Sequence, residues 1–177
     1  RVHVTVAAKE DAPALARFFT EQPEEAFKFF KPHKFDEKSL LMLIRRKSFL
    51  MFLVKDGEDI VGYFFLRCFA NGSAYRGRLV DMRHQGLGIG KLMCYAINDI
   101  AQYFHLRQFS SISPENYASL ASAKSVSNIR IIRTLENGYY YIECTPKKPV
   151  GGGKFKLRVY CVEFSIAGRR RGYSYAA

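Results

Sequence analysis

The sequence predicts an α+β domain in which helices flank a mixed, mostly antiparallel central sheet, and three observations carry that prediction. Between Ser48 and Met82, three strand-like apolar runs are separated only by "KDGED" and "ANGS", both of them hairpin-turn material. After "HQGLG" the apolar spacing becomes helical, with Leu92, Met93, Ala96, Ile97, Ile100, Ala101 and Phe104 on one face. The order of elements is strand, two helical segments, three strands, helix, strand, helix and two strands. That order is not the strict strand-helix alternation of a parallel sheet.

Each element has its own signal. "VHVTVA" (2–7) alternates and is valine-rich, as a strand requires. In "KEDAPALARFFTEQ" Asp11 is placed to cap a helix and Pro13 to sit in its first turn. The proline-broken "EEAFKFFKPHKF" (24–35) reads as an irregular aromatic segment or a short helix, and "FDEKSLLMLIRRK" (35–47) restores helical spacing. The meander of three strands ends near Val80, and a helix begins near Ile89. "LRQFSSI" (106–112) is a strand and "PENYASLASAKSV" (114–126) a helix. "IRIIRTLENGYYYIEC" is a hairpin turning at Glu136–Asn137–Gly138. "PKKPVGGGK" then leads to a last strand-like run, 155–164.

At 177 residues, 48% apolar and 25% charged, the composition is that of a globular domain with a real core. The longest apolar runs, such as "FLMFLV" at 49–54, are far below the roughly 20 residues that span a bilayer. The N-terminal stretch lacks the layout of a signal peptide. Cys68, Cys94, Cys144 and Cys161 form no CxxC pair, so reduced thiols in a cytoplasmic protein are expected. Histidines and cysteines show no ligand spacing, and no metal is expected. The net charge of +12 invites a nucleic-acid reading. However, the segment from Lys147 onward holds eight basic residues and one acid, so most of the excess belongs to the end of the chain.

The stretch "HQGLGIGKLM" (84–93) places three glycines between a strand and a helix, which points to phosphate bound on bare backbone amides. A Walker-type loop fails, because Gln85 stands where its first glycine belongs and Leu92 where Ser or Thr must hold magnesium. The dinucleotide fingerprint fails as well. It would need a third glycine at Lys91, and it would need a parallel sheet. A tight turn with no ligand remains the plain alternative.

The run Gln85-x-x-Gly88-x-Gly90 resembles the pyrophosphate motif of the GNAT acetyltransferases, which lies between that family's fourth strand and third helix, as it does here. "LVDMRHQGLGIGKLM" is similar to the strand-turn-loop-helix of the family, and "SSISPENYASL" to its fifth strand and Asn-led fourth helix. The resemblance implies a sheet splayed between strands 4 and 5, with acetyl-CoA held in the gap. It implies cofactor contacts at Gln85, Gly86, Leu87, Gly88, Ile89, Gly90 and Lys91, at the main chain of Arg78 and Val80, and at Asn116 and Ser119. Asn116 as a helix cap and Ser119 as a packing residue are the alternatives.

The implied reaction is direct attack of an amine on the thioester. An amine with a pKa of about 10.4 is under roughly a thousandth neutral at pH 7, whereas an α-amine near about 7.8 is about a tenth neutral. Here the sequence departs from the family. The usual glutamate base position is Ala74, and the usual tyrosine acid position is Ala123. His33, in the segment that often walls the acceptor site, and Tyr117, beside Asn116, are the substitute catalytic candidates. Tyr75 adjoins the missing glutamate position, but strand alternation turns it to the other face; Asp81 reads as a turn residue.

The expectation is therefore an acetyl-CoA-dependent N-acetyltransferase domain over 1–146, followed by a basic connector, extra strand and tail over 147–177, packed on or exchanged with that domain. The acceptor is a small-molecule or peptide amine, and a homodimer is left open. A non-catalytic acyl-CoA-binding module, or a binder of nucleic acid or an acidic partner through the tail, are the competing readings.

Overall fold

The structure is a computed structural model and describes residues 2–147. The appended strand and basic tail expected beyond them lie outside the described residues.

Seven strands form one sheet: β1 (Val2–Val6), β2 (Phe49–Asp56), β3 (Asp59–Cys68), β4 (Ser73–Val80), β5 (Arg107–Ile112), β6 (Ser127–Thr134) and β7 (Tyr140–Pro146). Their spatial order is β1-β2-β3-β4-β5-β7-β6, and every pairing is antiparallel except that of β4 with β5. Four helices accompany them: α1 (Ala12–Thr20), α2 (Glu37–Ile44), α3 (Ile89–Tyr103) and α4 (Tyr117–Val126). The expected element order holds throughout this region.

Strands β2 and β3 are buried on both faces, which explains why they read as continuous apolar runs rather than alternating ones. On one face Leu50, Phe52, Phe64 and Leu66 pack against Met93, Ile97 and Ile100 of α3. On the other, Met51, Leu53, Tyr63 and Phe65 meet Leu15, Phe18 and Phe19 of α1 and Leu40 of α2. A smaller cluster of Ile112, Ile142 and Cys144 lies beside Leu120 of α4.

Two local details differ from the sequence reading. The Asp11 carboxylate does not cap α1; it accepts from the Ala8 amide at 2.8 Å and from Lys55 Nζ at 3.0 Å, because a short 3₁₀ turn over Lys9–Asp11 precedes the helix. Helix α4 starts at Tyr117 rather than at Pro114. The Asn116 amide first closes a turn on the Ser113 carbonyl, and the Asn116 side chain then caps the helix by accepting from the Ser119 amide at 3.1 Å.

Candidate active site

The site is built on the only parallel pairing in the described sheet. Strands β4 and β5 pair at Ser73–Arg107, Ala74–Gln108 and Tyr75–Phe109, and then they part. On its other side β4 stays paired with β3 all the way to Val80. The Asp81 amide bonds the Val61 carbonyl, so alternation along an antiparallel strand turns the main chain of Arg76, Arg78 and Val80 toward the vacated side. The Arg76 carbonyl is met there by the Ser110 hydroxyl at 3.0 Å. The expected splay is present, and it leaves strand amides facing a cleft of about 330 Å³.

The glycine loop lies at the C-terminal end of this gap. Gly86 (φ 80°) and Gly88 (φ 83°) both occupy the left-handed region, where a side chain is strained. A Cβ on either would nonetheless meet no atom within 4 Å, so open space, not crowding, surrounds the bare backbone. Gly88 is the N-cap of α3 and contributes no side-chain cap. The first intrahelical bond runs from the Leu92 amide to the Gly88 carbonyl, so the amides before Leu92 are free of helical partners. Fifteen helical residues place their dipole behind that N-terminus. Gln85, Leu87 and Lys91 are exposed around it, whereas Ile89 is buried in the α3-side core and anchors the turn. Gly90 is a helix residue whose added Cβ would only touch Val80 and Ser122 at 3.7 Å or more.

Two buried polar clasps hold the cleft in shape. The Arg78 guanidinium donates from Nη1 to the Gly90 carbonyl (3.0 Å) and Cys94 Sγ, and from Nη2 to the Ser119 carbonyl (2.9 Å), Ser119 Oγ (3.0 Å) and Ser122 Oγ (2.7 Å). It thereby ties β4 to the first turns of α3 and α4. Asp81, with its carboxylate buried, accepts from the Arg83 main-chain amide and guanidinium and from Gln22. The Arg83 hydrogen bonds hold the Asp81 carboxyl well below the usual carboxylate range. Gln22 completes this second clasp by accepting from the Met82 amide at 3.0 Å. It fixes the exit from β4 into the glycine loop.

The sequence-predicted residues do not all meet. Arg78, Asn116 and Ser119 line the cleft, and Val80 borders the vacated side of β4 with the glycine loop just beyond it. His33 stands apart from the cleft lining. Its Nδ1 bonds the Lys34 carbonyl at 2.7 Å and must carry the hydrogen, so Nε2 accepts from the Tyr63 hydroxyl at 2.8 Å. The ring is packed edge-on against Phe19, Phe35, Phe49 and Phe65, and burial pushes its pKa down. Tyr117 is 77% exposed and is not part of the lining either. The aromatic segment lines the cleft through Lys28–Pro32.

Several cleft residues were not chosen from the sequence: Tyr75 was set aside there, and Gly77, Tyr139 and Asn137 gave no functional signal. Tyr75 lines the cleft where the gap opens, and its hydroxyl bonds Ser111 Oγ. Gly77 is small because the Phe65 ring lies across it: a Cβ there would stand 2.5 Å from Phe65 Cε1. Tyr139 and Asn137 arrive from the β6–β7 turn, more than fifty residues beyond β4 in the chain. Among the described residues lining the cleft are four cations, Lys28, Lys31, Arg76 and Arg78, and no aspartate, glutamate or histidine. No group of three or more metal-ligating side chains occurs among the described residues, and none of the described helices is long and apolar enough to cross a membrane.

No protein-family profile and no curated protein matches this sequence. Solved structures do match the fold. The GNAT domain of PAT from S. lividans superposes with a TM-score of 0.68 at 18% identity, covering 80% of this chain and 89% of that one. PaiA N-acetyltransferase from Thermoplasma acidophilum, solved with coenzyme A, gives 0.68 at 14% identity, over 82% and 99%. RimJ from Mycobacterium smegmatis, solved with CoA-disulfide, gives 0.67 at 17% identity, over 82% of each chain. The mostly antiparallel seven-stranded sheet with its parallel β4–β5 pair and four helices matches that architecture, and the chain has the fold of the GNAT acetyltransferases.

Proposed function

We propose that this chain is an acetyl-CoA-dependent N-acetyltransferase acting on a primary amine. The observation that carries the reading is the continuity of the vacated side of β4 with the uncapped N-terminus of α3. An extended acyl-pantetheine arm can take the place of the missing strand pairing, and a pyrophosphate can take the place of the missing helix cap. The open space at Gly86 and Gly88 fits phosphate oxygens approaching the main chain. Gln85 to Lys91 would hold the pyrophosphate, the main chain of Arg78 and Val80 the arm and its carbonyl, and Asn116 and Ser119 the α4 side. Similarity to structures solved with coenzyme A supports the same cofactor.

When bound, acetyl-CoA supplies a thioester carbonyl open to attack and a thiolate leaving group. The chain's own part is to orient, polarise and manage protons. Preorganised strand amides stabilise a developing oxyanion without reorganisation. Four cations around the cleft disfavour an ammonium and so favour the neutral, attacking amine. This suits an acceptor of modest basicity, because no carboxylate or imidazole among the described lining residues stands ready to deprotonate a strongly basic one. Tyr75, hydrogen-bonded to Ser111 at the opening of the gap, is the phenol we assign to proton delivery toward the leaving sulfur.

The same lack of an acid-base pair, with Ala74 and Ala123 at the usual positions, favours one second reading: a module that binds acyl-CoA without turnover. Calorimetric titration with acetyl-CoA, followed by an amine panel monitored by thiol release, separates the two. Binding with turnover that falls at least about tenfold in Tyr75→Phe supports the enzyme. Binding without turnover on any amine supports the module, and no binding removes both. For assembly, β6 ends the described sheet with Ile131 and Ile132 exposed, which supports the homodimer. Three free, buried thiols, Cys68, Cys94 and Cys144, support a reducing compartment such as the cytoplasm.

A further inference from the structure

Arg76 and Arg78 lie two residues apart on the same face of β4, yet their surroundings differ completely. Arg78 is satisfied by acceptors on α3 and α4. Arg76 is only 5% exposed, and its Nη1 is buried with no hydrogen-bond partner. Among the described residues no carboxylate forms a salt bridge with it. Strand register sets Arg76 opposite Leu66, so its side chain is on the α3 face of the sheet, near Gln108, whose buried Oε1 is likewise without a partner and whose amide is already given to Asn98.

A buried guanidinium with no counter-charge is among the costlier arrangements a protein can keep, since desolvation is not offset by any ion pair. Arg cannot escape the cost by losing its proton, as a buried Lys would. Arg76 is also among the residues that line the cleft, and no aspartate or glutamate stands among the described lining residues to compensate it. The missing partner is therefore an anion that enters with a substrate. The planar fork of donors matches a carboxylate. Position narrows the site further. The main chain of Arg76 faces the vacated side of β4 where the gap begins, at the opposite end from the glycine loop, so the anion it meets is not the pyrophosphate. The residues sharing that wall, Ser110, Ala123 and Ile142, are small or uncharged and leave room for a short group.

We infer that Arg76 is the anchor of a carboxylate subsite at the reacting end of the cleft, so that one of the two substrates carries a carboxylate beside its reacting group. The inference rests on the acyl-transfer reading proposed above. Two sources share this chemistry: the acyl chain of a dicarboxylic monoacyl-CoA donor, or an acceptor amine that also bears a carboxylate.

Matched pairs that differ only in the carboxylate test it. In the donor arm, succinyl-CoA and butyryl-CoA are titrated calorimetrically into the full chain, with free CoA as baseline. In the acceptor arm, amino acids and their carboxamides are followed by thermal shift and by the Arg76 Nε–H resonance, assigned through its loss in Arg76→Met. One arm is expected to favour the carboxylate member by about ten- to a hundredfold, and that preference should collapse in Arg76→Met. If that variant does not fold, Arg76→Lys, which keeps the charge but loses the fork, should blunt the preference, and the wild-type pairs alone remain decisive. Equal affinities within both arms, or a preference that survives Arg76→Met, overturns the carboxylate site. Failure of free CoA to bind overturns the acyl-transfer reading instead. The acceptor arm needs no CoA and still decides the carboxylate question.

Discussion

The two ends of the gap beside β4 are made of different material. At the glycine end the surface is main chain: two left-handed glycines and the uncapped amides of α3, with side chains turned outward or into the core. At the other end, where β4 and β5 part, it is side chains, gathered from β4, β5, α4, the segment 28–32 and the β6–β7 turn. A main-chain site depends on local conformation, which a few neighbouring residues determine. A side-chain site depends on the packing of distant elements. The first tolerates almost any sequence outside its glycines, whereas the second can change its chemistry with a single substitution and keep its fold.

Substitutions at the two ends should therefore break different quantities. The largest effect is expected at Gly88→Asp, which forces a side chain into φ 83° and sets a negative charge against the α3 N-terminus. Acetyl-CoA affinity should fall by about a hundredfold or more in calorimetry. Gly90→Ala, where a Cβ meets nothing closer than 3.7 Å, should change it by less than about threefold. Similar losses from both would mean that the loop binds by crowding rather than by conformation and charge.

An intermediate effect is expected at the clasp that joins the two ends. Arg78→Ala removes one cation together with its hydrogen bonds to the Gly90 and Ser119 carbonyls and to two serine hydroxyls. The cost should be about 2–4 kcal/mol, or roughly 5–15 °C in Tm. Cofactor affinity should weaken as α3 and α4 loosen from β4. A variant of unchanged Tm would show that the clasp is dispensable and that the two ends are held independently.

The smallest effect is expected from His33, which lies outside both ends. Burial lowers its pKa, so below about 6.5 the unfolded chain takes up a proton that the folded ring resists. Stability should fall as pH drops below that value, and it should stop falling once the folded ring also titrates. His33→Gln should remove this slope in pH-dependent denaturation while kcat stays within about twofold. A larger fall in kcat, with stability unchanged, would return the imidazole to the catalytic centre.

The division between the two ends also explains what the sequence disclosed. The glycine loop was legible because its meaning lies in the spacing of Gln85, Gly88 and Gly90 and in the change from strand to helix around them. The gap itself followed only from resemblance, since nothing in "SAYRGRLV" or "RQFSSI" says where their pairing stops. His33 was a reasonable candidate by residue type. It was misleading because its ring nitrogens are committed to Lys34 and Tyr63, thirty residues apart in the chain. Tyr75 was set aside by an argument from alternation that is right about its face, yet the hydroxyl still reaches Ser111 across the parting strands. Arg76 gave no signal at all. In sequence it is one of two arginines in a strand, and only the partners around each distinguish the satisfied one from the unpaired one.

By itself the sequence determined the α+β class, the order of strands and helices, and the glycine loop that joins a strand to a helix. These are consequences of short-range periodicity and local conformational preference, which adjacent residues settle among themselves. Tertiary structure alone decided where β4 and β5 separate, which cations are neutralised, and which side chains share the cleft. Burial and pairing are properties of residues far apart in the chain, and the free energy of a guanidinium depends on what the completed fold places beside it.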